Sequence, residues 1–141
     1  METSLKEHNH TVGIIEGAYH EAALRLGLSD SELNILYTLN EHPQGCNQSV
    51  LYKETGMTKS TVNSAIRKME NEQILYLTPG AGRNTCVCLT DNGRKLVVNT
   101  VHRLIRLENE IFAEWSEMEQ ADFIRLNREF AEKLGRKVRE L

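Results

Sequence analysis

The chain has 141 residues, 40% of them apolar and 26% charged, with two prolines and a formal net charge of −3. That length holds one domain with a real core, or a small domain with appended dimerisation helices, and the composition suits a largely helical soluble protein. No apolar run exceeds four residues and the first ten residues lack the basic and apolar regions of a signal peptide, which argues against a membrane span and for the cytoplasm.

Three cysteines without framework spacing fit a reducing compartment better than a disulfide scaffold. The negative net charge argues by itself against nucleic acid, but its distribution reverses that reading. Residues 1–52 carry 2 basic and 7 acidic side chains, residues 53–93 carry 5 and 4, and residues 94–141 carry 10 and 9. A few local cations suffice if two copies act together, because phosphate contacts add affinity in proportion to their number.

Residues 5–26 are predicted to form a long helix in which Leu5, Val12, Ile15, Tyr19, Ala22 and Leu26 mark a seam for another helix. Gly13 and Gly17 interrupt it, either as tolerated glycines or as a place where another backbone approaches closely. Glu16 and His20 share a face of this helix as an exposed pair. Gly27 ends it, and Ser29 with Glu32 makes a capping box for a second helix whose inner side is Leu33, Ile35, Leu36 and Leu39. Residues 42–45 terminate that helix, and Cys46 falls in a loop. A short third helix over 48–55 follows an Asn47 cap, with Val50 and Leu51 facing inward.

Residues 56–72, GMTKSTVNSAIRKMENE, read as a turn and a helix made to lie against something polar. Gly56 supplies a positive backbone angle and Thr58 a cap. Val62, Ala65, Ile66 and Met69 form one apolar stripe, and Ser60, Ser64, Arg67 and Asn71, flanked by Asn63 and Lys68, form the opposite face. Two helices joined by so short a turn are a helix-turn-helix. The period then changes from 3.6 to 2: residues 74–78 and 84–90 are strand-like, with a flexible hairpin tip at 79–83 that carries Arg83. A helix-turn-helix followed by a β-hairpin is a winged helix. Residues 91–115 are predicted as one helix about 37 Å long at ~1.5 Å per residue. Ser116 and Glu119 cap a last helix striped by Ile124, Ala131, Leu134, Val138 and Leu141. The first helix, the end of the fifth and the sixth offer more apolar surface than one small core covers, so a helical dimer interface is expected.

The fold class is therefore mainly α with a small β-wing: a dimerisation helix at 1–28, a winged helix-turn-helix at 29–93, and a long linker helix with a C-terminal dimerisation helix at 94–141. This order resembles the MarR family of bacterial transcriptional regulators over essentially the whole chain. The stretches GMTKSTVNSAIRKMENEQIL and GRNTCVCLTDNGRKL look like its recognition helix and its wing strand with the Leu-Thr-x-x-Gly helix start. Two residues depart from the family pattern. Ala81 stands where the wing usually has the acidic partner of its arginine, and Gln73 stands where a glycine commonly follows the recognition helix. The resemblance implies a homodimer on pseudo-palindromic double-stranded DNA, usually a repressor, released by a small molecule or by oxidation. By position it assigns Lys59, Ser60, Thr61, Asn63, Ser64, Arg67 and Lys68 to the major groove and its phosphates, and Arg83 with Asn84 to the wing. Arginine suits guanine, asparagine suits adenine, and Ser or Thr suits either base or phosphate.

Other readings remain beside it. Cys86 and Cys88 share a strand face and suit a thiol- or metal-responsive regulator, although no further ligand lies close in sequence and strand neighbours diverge. A winged helix used only for protein contact is a third reading. No glycine-rich phosphate loop and no nucleophile beside a base is present, so neither an enzyme nor a cofactor is expected. For a small-molecule effector, the crevice where the first, second and fifth helices meet the winged domain is the expected site, with Tyr19, Tyr37 and Arg103 as lining residues.

Overall fold

The computed structural model describes residues 3–80 and 85–141. Its elements in chain order are α1 (Thr3–Arg25), α2 (Asp30–Asn40), β1 (Cys46–Asn47), α3 (Gln48–Thr55), α4 (Lys59–Asn71), β2 (Leu75–Pro79), β3 (Thr85–Leu89), α5 (Asp91–Asn99), α6 (Val101–Phe112) and α7 (Glu117–Val138). They fall into two compact units, one up to Leu104 and one from Ile105 onward. Among the described residues no helix is long and apolar enough to cross a membrane.

The core of the first unit gathers one apolar face from each short element. Leu33, Ile35, Leu36 and Leu39 come from α2, Leu51 from α3, and Val62, Ala65, Ile66 and Met69 from α4; Leu75, Val87, Val97 and Val101 close it, all buried. Burying side chains of this kind stabilises by about 1.5–3 kcal/mol each. The caps read from the sequence are in place. Gly27 (φ +76°) ends α1 while Leu28 N–H donates to the Ala23 carbonyl at 2.9 Å. Ser29 and Glu32 form the reciprocal box on α2, with Ser29 N–H donating to Glu32 Oε1 at 2.9 Å and Glu32 N–H to Ser29 Oγ at 3.1 Å. Asn47 precedes α3 without a side-chain cap bond, contrary to the expectation, and Val50 is only half-buried while Leu51 is sealed.

The sheet has the order β1-β3-β2, antiparallel throughout. Leu75 to Pro79 pair with Leu89 to Thr85 as the hairpin predicts, but Cys46 is not a loop filler: it is buried and pairs with Val87 in a two-residue strand beside Asn47 and Cys86. Such a strand exists only because β3 offers it an edge. The helix after the wing starts at Thr90, whose hydroxyl accepts from Gly93 N–H at 3.0 Å and donates to the Gln73 carbonyl at 2.6 Å, tying the end of β3 to the exit of α4. Gly93 is fixed by space. A Cβ there would overlap the Ile74 carbonyl oxygen and stand 3.1 Å from Leu89 Cδ2. Gly93→Ala is expected to lower unfolding stability by about 1–3 kcal/mol through that overlap. Urea melts measure it, and an unchanged midpoint would show that Ile74 yields freely.

The predicted helix over 91–115 is broken. Thr100 leaves helical geometry at φ −127° and ψ −76°, and its hydroxyl donates to the Leu96 carbonyl at 2.6 Å, a back-bond of the kind that bends helices. Residues 101–112 therefore form a separate α6. On α1, no atom of the described chain lies within 4 Å of a Cβ built at Gly13 or Gly17, so the close backbone approach considered for them does not come from their own chain. His20 pairs with Asp30, its Nδ1 2.9 Å from the carboxylate, rather than with Glu16. Leu5, Val12, Ile15 and Tyr19 of the predicted seam are exposed in the single chain.

In the second unit, Ser116 and Glu119 form the expected capping box, and Gln120 donates to the Phe112 carbonyl at 2.7 Å. Phe112, Trp115 and Phe123 stack edge to face, with ring centroids 5.1 to 6.1 Å apart. None of the 22 residues of α7 is buried within its own chain, and Phe123, Ile124, Leu126, Leu134 and Val138 are all exposed.

Candidate nucleic-acid interface

The helix α4 starts and stops by local chemistry. Gly56 (φ +70°) turns the chain out of α3, and Thr58 Oγ1 accepts from Thr61 N–H at 3.2 Å. At the other end Ile74 N–H donates to the Met69 carbonyl at 2.9 Å and Gln73 N–H to the Glu70 carbonyl at 3.0 Å, a motif that requires a left-handed residue between them. Gln73 is that residue, at φ +62°, the one non-glycine with positive φ among the described residues. The departure from the family's glycine thus leaves the exit geometry intact, at a local cost of about 1–2 kcal/mol.

The exposed face of α4 divides into side chains that are held and side chains that are free. Asn63 Oδ1 accepts from Tyr52 Oη at 2.9 Å, and Lys59 Nζ sits 5.7 Å from the centre of the same tyrosine ring. Thr61 Oγ1 accepts from the Thr58 hydroxyl at 2.9 Å. Lys68 Nζ lies 3.4 Å from Glu32 and 3.8 Å from Glu72, which draws its charge toward α2. Burial works against the Glu32 charge, but hydrogen bonds to Ser29 and the nearby Lys68 outweigh it and hold the carboxyl below its ordinary range. No hydrogen bond or ion pair within the described residues engages Ser60, Ser64 or Arg67, and all three are exposed. A shallow groove lined by Ser29, Ser31, Glu32, Ser60, Thr61, Ser64, Ala65 and Lys68 runs between the start of α2 and this face. Arg83 and Asn84 lie outside the described residues.

Sequence reasoning missed Tyr52. Nothing in residues 48–55 signals it, because its partners Asn63 and Lys59 are brought to it only by the crossing of α3 and α4. Tyr52→Phe keeps the ring and removes the hydrogen bond. It should weaken binding to operator DNA by about 0.5–1.5 kcal/mol while leaving the thermal midpoint nearly unchanged. Fluorescence anisotropy against a labelled duplex checks this, and full affinity would show that Asn63 needs no orientation.

Of the expected effector residues, Tyr19 is exposed on α1, Tyr37 is half-buried on α2, and Arg103 is exposed near the start of α6 with its guanidinium 3.5 Å from the Asn99 carbonyl. Cys86 and Cys88 do come together, their sulfurs 3.7 Å apart.

A capped helix with a buried apolar stripe and a free polar face, followed by the β2–β3 hairpin of a three-stranded sheet, defines a winged helix-turn-helix. Residues 26–83 match the sequence profile of the MarR family. That match spans fewer than half of the 141 residues. Among solved structures the chain is similar to NMB1585, a MarR family regulator from Neisseria meningitidis, at 15% identity over 99% of both chains with a TM-score of 0.86. It is also similar to S. aureus MepR in DNA-binding conformation, at 22% identity over 91% of this chain and 98% of that one, TM-score 0.81. A third is Bordetella bronchiseptica BpsR, whose DNA binding is regulated by 6-hydroxynicotinic acid, at 19% identity over 88% and 93% of the two chains, TM-score 0.65. Comparison with curated protein sequences finds no match.

Proposed function

We propose that this chain is a MarR-family transcription regulator, a cytoplasmic homodimeric repressor that binds pseudo-palindromic operator DNA through residues 29–93 and dimerises through residues 1–28 and 94–141. The observation that carries the reading is the exposed, unengaged set Ser60, Ser64 and Arg67 on a helix capped at both ends. Lys59, Thr61, Asn63 and Lys68 flank that set and serve phosphates and neighbouring base edges. Arg83 and Asn84 serve the wing. The dimer rests on the exposed apolar residues of α1 and α7, among them Leu5, Val12 and Ile15 of α1 and Ile124, Leu134 and Val138 of α7. MepR in its DNA-binding conformation supports the DNA partner, and the control of BpsR by 6-hydroxynicotinic acid supports a small aromatic acid as effector. Tyr19, Tyr37 and Arg103 would take its ring and carboxylate. Such a ligand acts by binding one spacing of the two reading helices better than another.

Footprinting of the DNA upstream of the protein's own gene, at stated salt and with and without aromatic acids, tests the reading. Two protected half-sites centred about 10 base pairs apart are expected. If no duplex is protected at low salt and another protein covers the Ser60–Ser64–Arg67 face instead, the winged helix is a protein-contact module.

A further inference from the structure

The reading of DNA by α4 makes no use of Cys86 and Cys88. Two residues apart on β3, they point to the same side of the strand, and their sulfurs lie 3.7 Å from one another. The turn at Gly45 packs directly against them. At φ +89° this residue brings the turn before β1 against β3 without a side chain, and a Cβ there would stand 2.6 Å from Cys88 Sγ and 3.0 Å from Cys86 Sγ. Cys88 is buried, with its sulfur 3.9 Å from the Gln44 carbonyl, whereas Cys86 is half-buried and reachable from solvent. Cys46 is paired directly with Val87, so it lies on the other face of the sheet, and burial pushes its thiol up to about 11.

Geometry separates the chemistries open to the pair. A disulfide would have to close 3.7 Å to about 2.0 Å between Cα atoms that strand geometry holds roughly 6.6 Å apart, at the outer limit for such a bond. Burial, with the hydrogen bond to Cys88 second, also raises the Cys86 thiol, so little thiolate is present to attack a peroxide. A structural zinc ion wants four ligands, and among the described residues no group of three or more His, Cys, Asp or Glu is placed to hold a metal. One atom that needs only two sulfurs fits better: around a pyramidal centre with bonds of about 2.3 Å and angles of about 95°, two sulfurs span ~3.4 Å, a short closure from 3.7 Å.

We propose that Cys86 and Cys88 form a dithiol site for a thiophilic trivalent arsenical, which bridges both sulfurs beneath the Gly45 turn. The exposed Cys86 reacts first and Cys88, already in reach, closes the ring. For an arsenical carrying two hydroxyls, two As–S bonds form and two As–O bonds break. Each thiol proton leaves with a hydroxide as water, and arsenic stays in its +3 state, so no oxidant is needed. Protonated thiols are the reactants of this exchange.

The probe is phenylarsine oxide added to the full-length chain, followed by intact-mass spectrometry and counting of free thiols after rapid unfolding. One arsenical per chain and the loss of two of three thiols are expected, reversed by 2,3-dimercaptopropanol but not by an equal amount of a monothiol. Cys86→Ser should reduce retention about 100-fold or more through loss of the chelate, with unchanged circular dichroism, and Cys46→Ser should retain it fully. Retention by Cys86→Ser equal to that of the wild type, or its loss in a folded Cys46→Ser, overturns the assignment. Because no DNA is present, failure here and failure of the DNA reading show separately.

Discussion

Aspartate at both Leu134 and Val138 is expected to leave the protein monomeric in sedimentation at micromolar concentration and to remove much of the helical signal of α7. The two side chains are 48% and 52% exposed in the single chain, four and eight residues beyond Phe130 on a helix with no fully buried residue. An amphipathic helix of 22 residues, none of them buried within its own chain, draws its stability from whatever covers its apolar face. In a two-fold dimer each position counts twice, so four side chains leave an apolar interface. At about 2 kcal/mol apiece the loss approaches 8 kcal/mol, before any cost of burying carboxylates. That is comparable to what separates a nanomolar dimer from a millimolar one, about 8 kcal/mol. The capping box at Ser116 and the aromatic cluster of Phe112, Trp115 and Phe123 are local, so the turn into α7 should persist. The decisive control is the wild type: a stable, folded monomer at micromolar concentration would remove the basis of the interface.

Helix α4 was legible because its signals are local. Gly56, Thr58 and the spacing of Val62, Ala65, Ile66 and Met69 each act within a few residues, and each is found as read. The break at Thr100 was illegible for the converse reason: Val97, Val101 and Leu104 keep helical spacing straight through it, and all are buried. Periodicity reports the buried side of a helix and is blind to one residue whose hydroxyl bends the backbone. β1 was illegible because two residues have no period, and its pairing is dictated by β3, some 40 positions away in sequence. At the candidate interface, sequence named the side chains of α4 but not their tethers. Glu32 draws on Lys68 across 36 residues and Tyr52 holds Asn63 across 11, so a set that looked uniform separates into oriented and free members only once α2, α3 and α4 are packed.

That separation singles out Arg67 for the expected result with the sharpest bearing on DNA reading. Its guanidinium is exposed in the middle of the free face, tied to no described acid or carbonyl, and its fork matches the O6 and N7 of guanine. Lys68, its neighbour, has Glu32 and Glu72 within 4 Å and is suited to phosphate instead. Arg67→Ala should therefore cost about 1–3 kcal/mol per half-site, hence two such losses per dimer, and should bring operator and scrambled DNA closer in affinity. Removing an exposed side chain with no partner in the fold should leave the melting midpoint within a degree or two. Arg83, outside the described residues and without the family's usual acidic partner, supplies the contrast. Arg83→Ala should weaken all sequences alike and reduce the slope of log affinity against log salt by about one unit per subunit. Titrations of both variants on operator and scrambled duplexes at several salt concentrations separate the two behaviours. An unchanged operator-to-scrambled ratio for Arg67→Ala would move the specificity of this protein off α4 altogether.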